Sequence, residues 1–235
     1  MENDPGKVAL VTGTGGELGL AIAAALATQG LTVVGLDLKP PTADVSAHHY
    51  QCDLSDTKAL GEVLERIRRQ VGPISVLVNN AAYYKNAPFF ELTPEQIQMT
   101  LAVNVTAVLF ACQQVAQQMI AAGTGGVIVN VASIAGRIGS SQVDYGASKA
   151  GVINLTTTLG RVLGEHGIRI NGVAPALVRT GMGKRLGPGV KESFLAATPL
   201  KRAAEPEEVA SVVAFLASDA ASYLNGTTID IHGGL

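Results

Sequence analysis

The sequence predicts an α/β protein: a doubly wound parallel β-sheet of about seven strands with helices on both faces. Three observations carry this expectation. Short apolar runs rich in β-branched residues alternate with longer stretches of helical period. The runs are apolar throughout, as in a parallel sheet covered on both sides, and do not alternate as a half-exposed sheet would. The first run ends in a glycine-rich turn and the second in an acid, Asp37.

The elements follow in order. Residues 7–12 (KVALVT) read as the first strand and 17–28 as an Ala/Leu-rich helix. Residues 31–36 form the second strand, and Pro40 and Pro41 open an irregular connection to a short third strand at 49–52. Ser55 is the candidate cap of a helix reaching about Gln70, with Leu60, Val63, Leu64 and Ile67 on one face. Gly72 and Pro73 stop it, and 74–78 is the fourth strand. Thr93, Pro94 and Gln96 mark the start of a helix running to about Ala122. The fifth strand is 126–132. A long helix then carries Tyr145 and Lys149 and ends near His166 and Gly167. Residues 168–173 form the sixth strand, cut off by Pro175. The stretch 181–197, with four glycines and a proline, is expected to be an irregular lid. Pro206 starts a helix with Val209, Val212, Val213 and Leu216 inward, and 228–231 is the last strand. With no repeat, linker or low-complexity tract, one domain is expected over 1–235.

Composition narrows the function classes. Charged residues make up 15% and hydrophobic ones 47%, against a usual ~25% charged. The chain is therefore core-rich. A net charge of −2 gives no electrostatic case for nucleic acid or an anionic membrane. Nothing between Glu95 and Arg137 is charged, yet Asn104, Gln113, Gln114, Gln117, Gln118 and the glycines of 123–126 break any membrane span there. Two cysteines, Cys52 and Cys112, make no disulfide framework, and the N-terminal residues lack a basic and apolar leader. A cytoplasmic location is expected.

Two constellations carry chemistry. Residues 12–19 (TGTGGELG) join the first strand to the first helix, where glycines admit a tight turn and free N–H groups face a diphosphate. Asp37, about 20 residues on, suits the adenine-ribose hydroxyls. The second is Tyr145 and Lys149, four residues apart and so on one helix face. A nearby ammonium lowers a phenol's pKa, which makes a general acid/base.

Together with further motifs, these residues resemble the short-chain dehydrogenase/reductase family over essentially the whole chain. Asp53 matches the acid near the adenine ring. Residues 79–82 (NNAA) resemble the family's Asn-Asn-Ala-Gly, and Asn104 sits at its helical Asn. Ser133, twelve residues before Tyr145, completes a tetrad with Tyr145, Lys149 and Asn104. Residues 175–180 (PALVRT) look like the Pro-Gly loop whose Thr holds the nicotinamide amide. The resemblance implies a Rossmann-like fold and a cofactor site of Gly13, Gly16, Glu17, Leu18, Gly19, Asp37, Asp53, Leu54, Asn80, Ala81, Tyr145, Lys149, Pro175, Val178 and Thr180. The uncharged stretch from Gln96 to Gly136 predicts a helix covered by another subunit, and the resemblance points the same way, to a homotetramer.

Three departures stand out. Glu17 occupies the middle glycine of the family's Gly-x-x-x-Gly-x-Gly turn, leaving Gly13, Gly16 and Gly19 at the Gly-x-x-Gly-x-x-Gly spacing that resembles the family's extended branch. Its side chain is expected to turn away from the phosphates. Ala82 and Ala176 replace glycines by the smallest side chain.

The implied reaction is hydride transfer between a nicotinamide and a secondary alcohol or ketone. Tyr145 exchanges the proton, Ser133 positions the substrate oxygen, Lys149 lowers the Tyr145 pKa and binds the ribose, and Asn104 holds a connecting water. Candidate substrate-facing residues are Tyr83, Tyr84, Ile134, Val143 and Met182, with Phe89 and Phe90 as further aromatics near the pocket or in the core. NAD is expected over NADP because Asp37 opposes a 2′-phosphate, Thr14, Gly15 and Gly16 are neutral, and Lys39 is expected to be solvated. Substrate is expected as a free small molecule or a coenzyme A thioester. Between Lys85 and Arg137 no cation would dock an acidic acyl carrier protein, although Arg161 and the lid residues Lys184 and Arg185 remain. The alternatives are an NADPH-dependent 3-ketoacyl reductase and a non-catalytic dinucleotide-binding scaffold. The intact tetrad argues against the scaffold.

Overall fold

The structure is a computed structural model described over residues 6–40, 45–181, 183 and 189–235. Seven strands join in one sheet: β1 (Val8–Thr12), β2 (Thr32–Asp37), β3 (His48–Gln51), β4 (Ile74–Asn79), β5 (Gly126–Val131), β6 (Ile168–Pro175) and β7 (Thr228–Ile231). Their order is β3-β2-β1-β4-β5-β6-β7, and every neighbouring pair is parallel. Parallel neighbours need crossover connections. Helices supply them: α1 (Glu17–Thr28), α2 (Thr57–Gln70), α3 (Pro94–Leu101), α4 (Ala107–Ala122), α5 (Ala135–Ile138), α6 (Val143–Leu163), α7 (Val190–Ala197) and α8 (Pro206–Ala217).

The strand pleat sends successive side chains to opposite faces. Val8 and Leu10 of β1 pack with Leu60, Leu64 and Ile67 of α2 and with Val115 and Met119 of α4. Ala9 and Val11 face the other side, against Ile22 and Leu26 of α1 and Val209 and Val213 of α8. β1 is fully buried because both faces are covered. This is why its sequence is apolar without alternation.

Local chemistry sets the helix ends. Thr93 and Gln96 form the expected capping box, with Pro94 in the first turn. At α2 the cap is Asp56, not Ser55: its carboxylate accepts from the N–H groups of Lys58 and Ala59, both at 3.0 Å. Ser55 turns back to bond Asp53. α6 runs into a 3₁₀ turn at Gly164–His166 and stops at Gly167, whose φ of 70° favours glycine. The irregular lid expected over 181–197 is only partly so, since 190–197 is the helix α7, entered through Gly189 at φ 78°. Met182, Lys184 and Arg185 lie outside the described residues.

The helix expected from Thr93 to Ala122 is continuous, but 102–106 is a π-helical turn, and Asn104 sits in it. Such turns recur at functional sites because they re-aim side chains mid-helix. By length and composition alone Pro94–Ala122 is apolar enough to cross a membrane, with a mean hydropathy of 1.5. Its inner residues, from Ala107 to Met119, are core. On the outer side Ile97, Met99, Leu101, Leu109 and Ile120 remain 38–43% exposed.

All seven strands end along one edge of the sheet. Thr12 pairs Leu36 next to Asp37, Asn79 pairs Asn130, and Val131 pairs Val173 just before Pro175. In parallel α/β sheets the carboxyl edge, where strand order reverses, forms a ligand crevice. Here that reversal falls between β1 and β4.

Candidate active site

The glycine turn after β1 is built by close backbone approach. Gly13 has φ 81°, and a Cβ there would lie 2.7 Å from Asn80 Nδ2 and 2.8 Å from Ala81 Cα. A Cβ on Gly19 would lie 2.1 Å from the Gly13 carbonyl oxygen. Both positions exclude a side chain. Asn80 fastens the turn to β4: its side chain donates to the Thr12 carbonyl at 2.9 Å, and Thr12 Oγ1 accepts from the N–H groups of Asn80 and Ala81. The N-cap of α1 is Gly16, which offers no side-chain acceptor to the first-turn N–H groups.

Asp37 closes the turn from the side. Its Oδ2 accepts from Gly15 N at 2.8 Å and its Oδ1 from Lys39 N at 3.0 Å. The Lys39 side chain is exposed. Asp53 is also exposed, with Oδ1 engaged by Ser55, beside a partly buried Leu54. An uncapped helix start, two glycines that cannot carry a Cβ and an acid at the end of β2 fit a dinucleotide: diphosphate at the turn, ribose hydroxyls at Asp37. Glu17 and Leu18 open α1 beside this cradle. The Glu17 carboxylate does leave the turn, accepting a hydrogen bond from Gly181 N.

The tetrad residues meet at the same edge. Lys149 is buried, and its ammonium donates to the Val131 carbonyl at 2.7 Å and stands 5.7 Å from the centroid of the Tyr145 ring. The Ser133 hydroxyl lies within bonding reach of the Tyr145 phenol. Ser133 Oγ also accepts from Ala135 N at 3.2 Å and donates to the Pro175 carbonyl at 3.4 Å, so the start of α5 and the end of β6 hold it jointly. Asn104 is fully buried. Its Oδ1 accepts from Tyr83 N at 2.7 Å, while Nδ2 donates to the Tyr83 carbonyl and to Ser148 Oγ, both at 3.0 Å.

The Asn104 side chain is bonded to Tyr83 and Ser148 and so fastens the loop after β4 to α6. One expectation needs correction. The Tyr145 phenol is pushed up to about 12, not down, because burial disfavours the phenolate. The Ser133 hydrogen bond works the other way but is the smaller effect. Burial likewise pushes the Lys149 ammonium down to about 8. At neutral pH the phenol is therefore neutral, while the Lys149 ammonium still predominates.

The substrate candidates divide. Tyr84 is buried and meets Tyr145 edge-to-face, with centroids 5.3 Å apart and planes at 84°. Ile134 is buried beside Ser133. Tyr83 contributes its backbone to Asn104, and Val143 is exposed at the start of α6. Phe89 and Phe90, in a 3₁₀ turn, are neither core nor enclosed: they are 57% and 95% exposed and meet edge-to-face with centroids 5.1 Å apart. Val178 pairs with Ala204 in an isolated bridge, and Thr180 follows it, partly buried.

Sequence reasoning missed several partners. Asn79 donates to Asn130 Oδ1 at 2.9 Å, and Asn130 donates to Thr156 at 3.0 Å, a buried polar chain beneath the site. Gln142, three residues before Tyr145, donates to Asn86 at 2.6 Å and ties the two walls together. A polar residue inside the apolar run of β5 is the signal that could have found Asn130. Nothing local announced Gln142.

A model of the enoyl-(acyl carrier protein) reductase family matches residues 15–235. The (3R)-3-hydroxyacyl-CoA dehydrogenase of Rattus norvegicus is 35% identical, over 97% of this chain and 95% of that one. Among solved structures, one described as an NAD(P)-dependent gluconate 5-dehydrogenase from Beutenbergia cavernae, with NADP bound, superposes with a TM-score of 0.91 at 32% identity. It covers 97% of this chain and 96% of its own. An NAD+-bound xylitol dehydrogenase gives a TM-score of 0.91 at 33% identity, covering 97% and 98%.

Proposed function

The chain belongs to the short-chain dehydrogenase/reductase family, nicotinamide-dependent oxidoreductases of CH–OH groups, and from that premise we propose that it moves a hydride between NAD and a small secondary alcohol or ketone, with Tyr145 as general acid/base. One observation carries the reading: the Tyr145 phenol, with Ser133 in reach and Lys149 one turn behind, stands on the strand-end edge that also holds the glycine turn.

In the reducing direction the neutral phenol, the form that burial favours, donates its proton to the substrate oxygen as hydride reaches the carbon. In the oxidising direction the phenolate takes the hydroxyl proton. A bound nicotinamide dinucleotide supplies the hydride donor or acceptor and, when oxidised, a positive charge that favours the phenolate. Ser133 donates to the substrate oxygen and holds it in line. Lys149 would hold the nicotinamide ribose of a bound cofactor and keeps a positive charge behind Tyr145. The loop after β4 forms one wall through Tyr84, and Ile134 forms the other. A dehydrogenase screen with NAD and NADP against secondary alcohols, sugars and 3-hydroxyacyl esters tests this. Turnover of at least one class with NAD is expected, and none with either cofactor would contradict it.

A 3-ketoacyl reductase working with NADPH is the second reading, supported by the (3R)-3-hydroxyacyl-CoA dehydrogenase relative. The screen separates the two. Free or coenzyme A substrates are expected to outrun carrier-bound ones, because α4 offers no cation for an acidic carrier.

We further propose a cytoplasmic homotetramer. The supports are the buried free thiols of Cys52 and Cys112 and the outer face of α3 and α4, uncharged beyond Glu95 in the first turn, with its exposed Ile97, Leu101, Leu109 and Ile120. A helix facing water carries charge on that face, so a second subunit is the fitting cover. Light scattering at micromolar concentration is expected to give a species near 96 kDa, four times the 24.1 kDa chain. A 24.1 kDa species would contradict it.

A further inference from the structure

Glu17 stands at the one position of the phosphate turn where a long side chain replaces a glycine of the family pattern, and that side chain has a definite partner. Its Oε2 accepts a hydrogen bond from the backbone N–H of Gly181, 164 residues further along the chain. Gly181 directly follows Thr180, and Thr180 ends a short segment already fixed on its other side. Arg179 N donates to the Ala204 carbonyl at 2.8 Å, the Arg179 guanidinium pairs with Glu205 at 2.8 Å, and Thr180 N donates to the Val178 carbonyl at 2.8 Å. The bond to Glu17 adds an anchor on the side facing α1. A glycine at position 17 has no atoms to make it.

We propose that Glu17 is a positioning residue for the cofactor: its carboxylate clasps the start of the segment after β6 onto the N-terminus of α1. The clasp fixes Thr180 relative to the diphosphate turn, so the two ends of the cofactor site are held by one side chain. The inference rests on the dinucleotide reading above. Two physical effects favour the clasp. A charged acceptor makes a stronger hydrogen bond to an N–H than a neutral one does, and a carboxylate in the first turn of α1 lies at the positive end of the helix dipole. One effect opposes cofactor binding, because the same charge stands near a diphosphate. The carboxylate therefore contributes a clasp and a repulsion of opposite sign, and a single deletion would mix them.

Glu17→Gln and Glu17→Ala separate the two. Both lose the charge, but only the glutamine keeps an oxygen that can accept from Gly181. Two measurements are needed, with thermal midpoints checked to be equal. In the cofactor-free protein, hydrogen exchange of the Gly181 amide is expected to quicken at least about tenfold in Glu17→Ala and to stay near wild type in Glu17→Gln. By calorimetry, Glu17→Ala is expected to bind NAD about fivefold more weakly than Glu17→Gln, the size of one lost hydrogen bond. Unchanged Gly181 exchange in Glu17→Ala would overturn the clasp, and equal or tighter NAD binding by Glu17→Ala than by Glu17→Gln would overturn its role. A wild type that binds neither NAD nor NADP would overturn the functional reading and the clasp's cofactor role with it. The exchange comparison would still decide whether the clasp itself exists.

Discussion

Tyr145→Phe is expected to lower kcat by about a thousandfold or more, within the range of lost general acid/base catalysis, while the NAD dissociation constant stays within about twofold. The substitution removes one oxygen and little volume. The Phe ring keeps the edge-to-face contact with Tyr84 and leaves Lys149 on the Val131 carbonyl. What it removes is the phenol hydroxyl within reach of Ser133. Lys149→Ala differs in kind, because the ammonium serves both the phenol and the cofactor ribose, so turnover and NAD affinity should fall together. Rapid-reaction kinetics and a binding titration on both variants check this split. A Tyr145→Phe enzyme with near-normal kcat would remove Tyr145 from the mechanism.

The wild type is expected to favour NAD over NADP by about a hundredfold in kcat/KM, and Asp37→Ser is expected to narrow this to about tenfold or less. A 2′-phosphate at the end of β2 would meet the Asp37 carboxylate at close range, where like charges repel and a ribose hydroxyl donor is lost. Asp37 has little freedom to yield. Its two oxygens are held by Gly15 N and Lys39 N at 2.8 and 3.0 Å, and a Cβ on Gly15 would sit 3.0 Å from the carboxylate. Lys39, the one nearby cation that would suit a phosphate, is exposed. One solved neighbour is described with NADP and another with NAD+, so the fold accommodates either cofactor and the choice falls to these side chains. Steady-state kinetics with both cofactors, in wild type and variant, is the check. A wild type preferring NADP would make Lys39 the residue that decides.

The sheet was legible because its signal is local. A fully buried strand such as β1 must be apolar on both faces, and a run like 7–12 has few other uses. The Thr93/Gln96 capping box was legible for the same reason, as residues three apart share a turn. The α2 cap went to Asp56 because Ser55 is held by Asp53, a competition between neighbours that spacing does not rank. α7 was hidden by the glycines before it, which set off its start. At the site, residue types and order identified Tyr145, Lys149 and Ser133, but not the environment that tunes them. Burial is a property of the packed molecule, and it reverses the direction expected for the Tyr145 phenol. Asn104 offered no local clue that Tyr83 and Ser148 would take its bonds, since Tyr83 lies on another element.

The central claim is that hydride passes directly between substrate and nicotinamide at Tyr145. The most direct test takes a substrate found in the screen, labelled with deuterium on its CH–OH carbon, and follows the label by mass spectrometry of the reduced dinucleotide. The account predicts one deuterium in the reduced cofactor for each molecule oxidised, and none above background with Tyr145→Phe. Product formed without deuterium in the dinucleotide, or equal transfer by the variant, would contradict it.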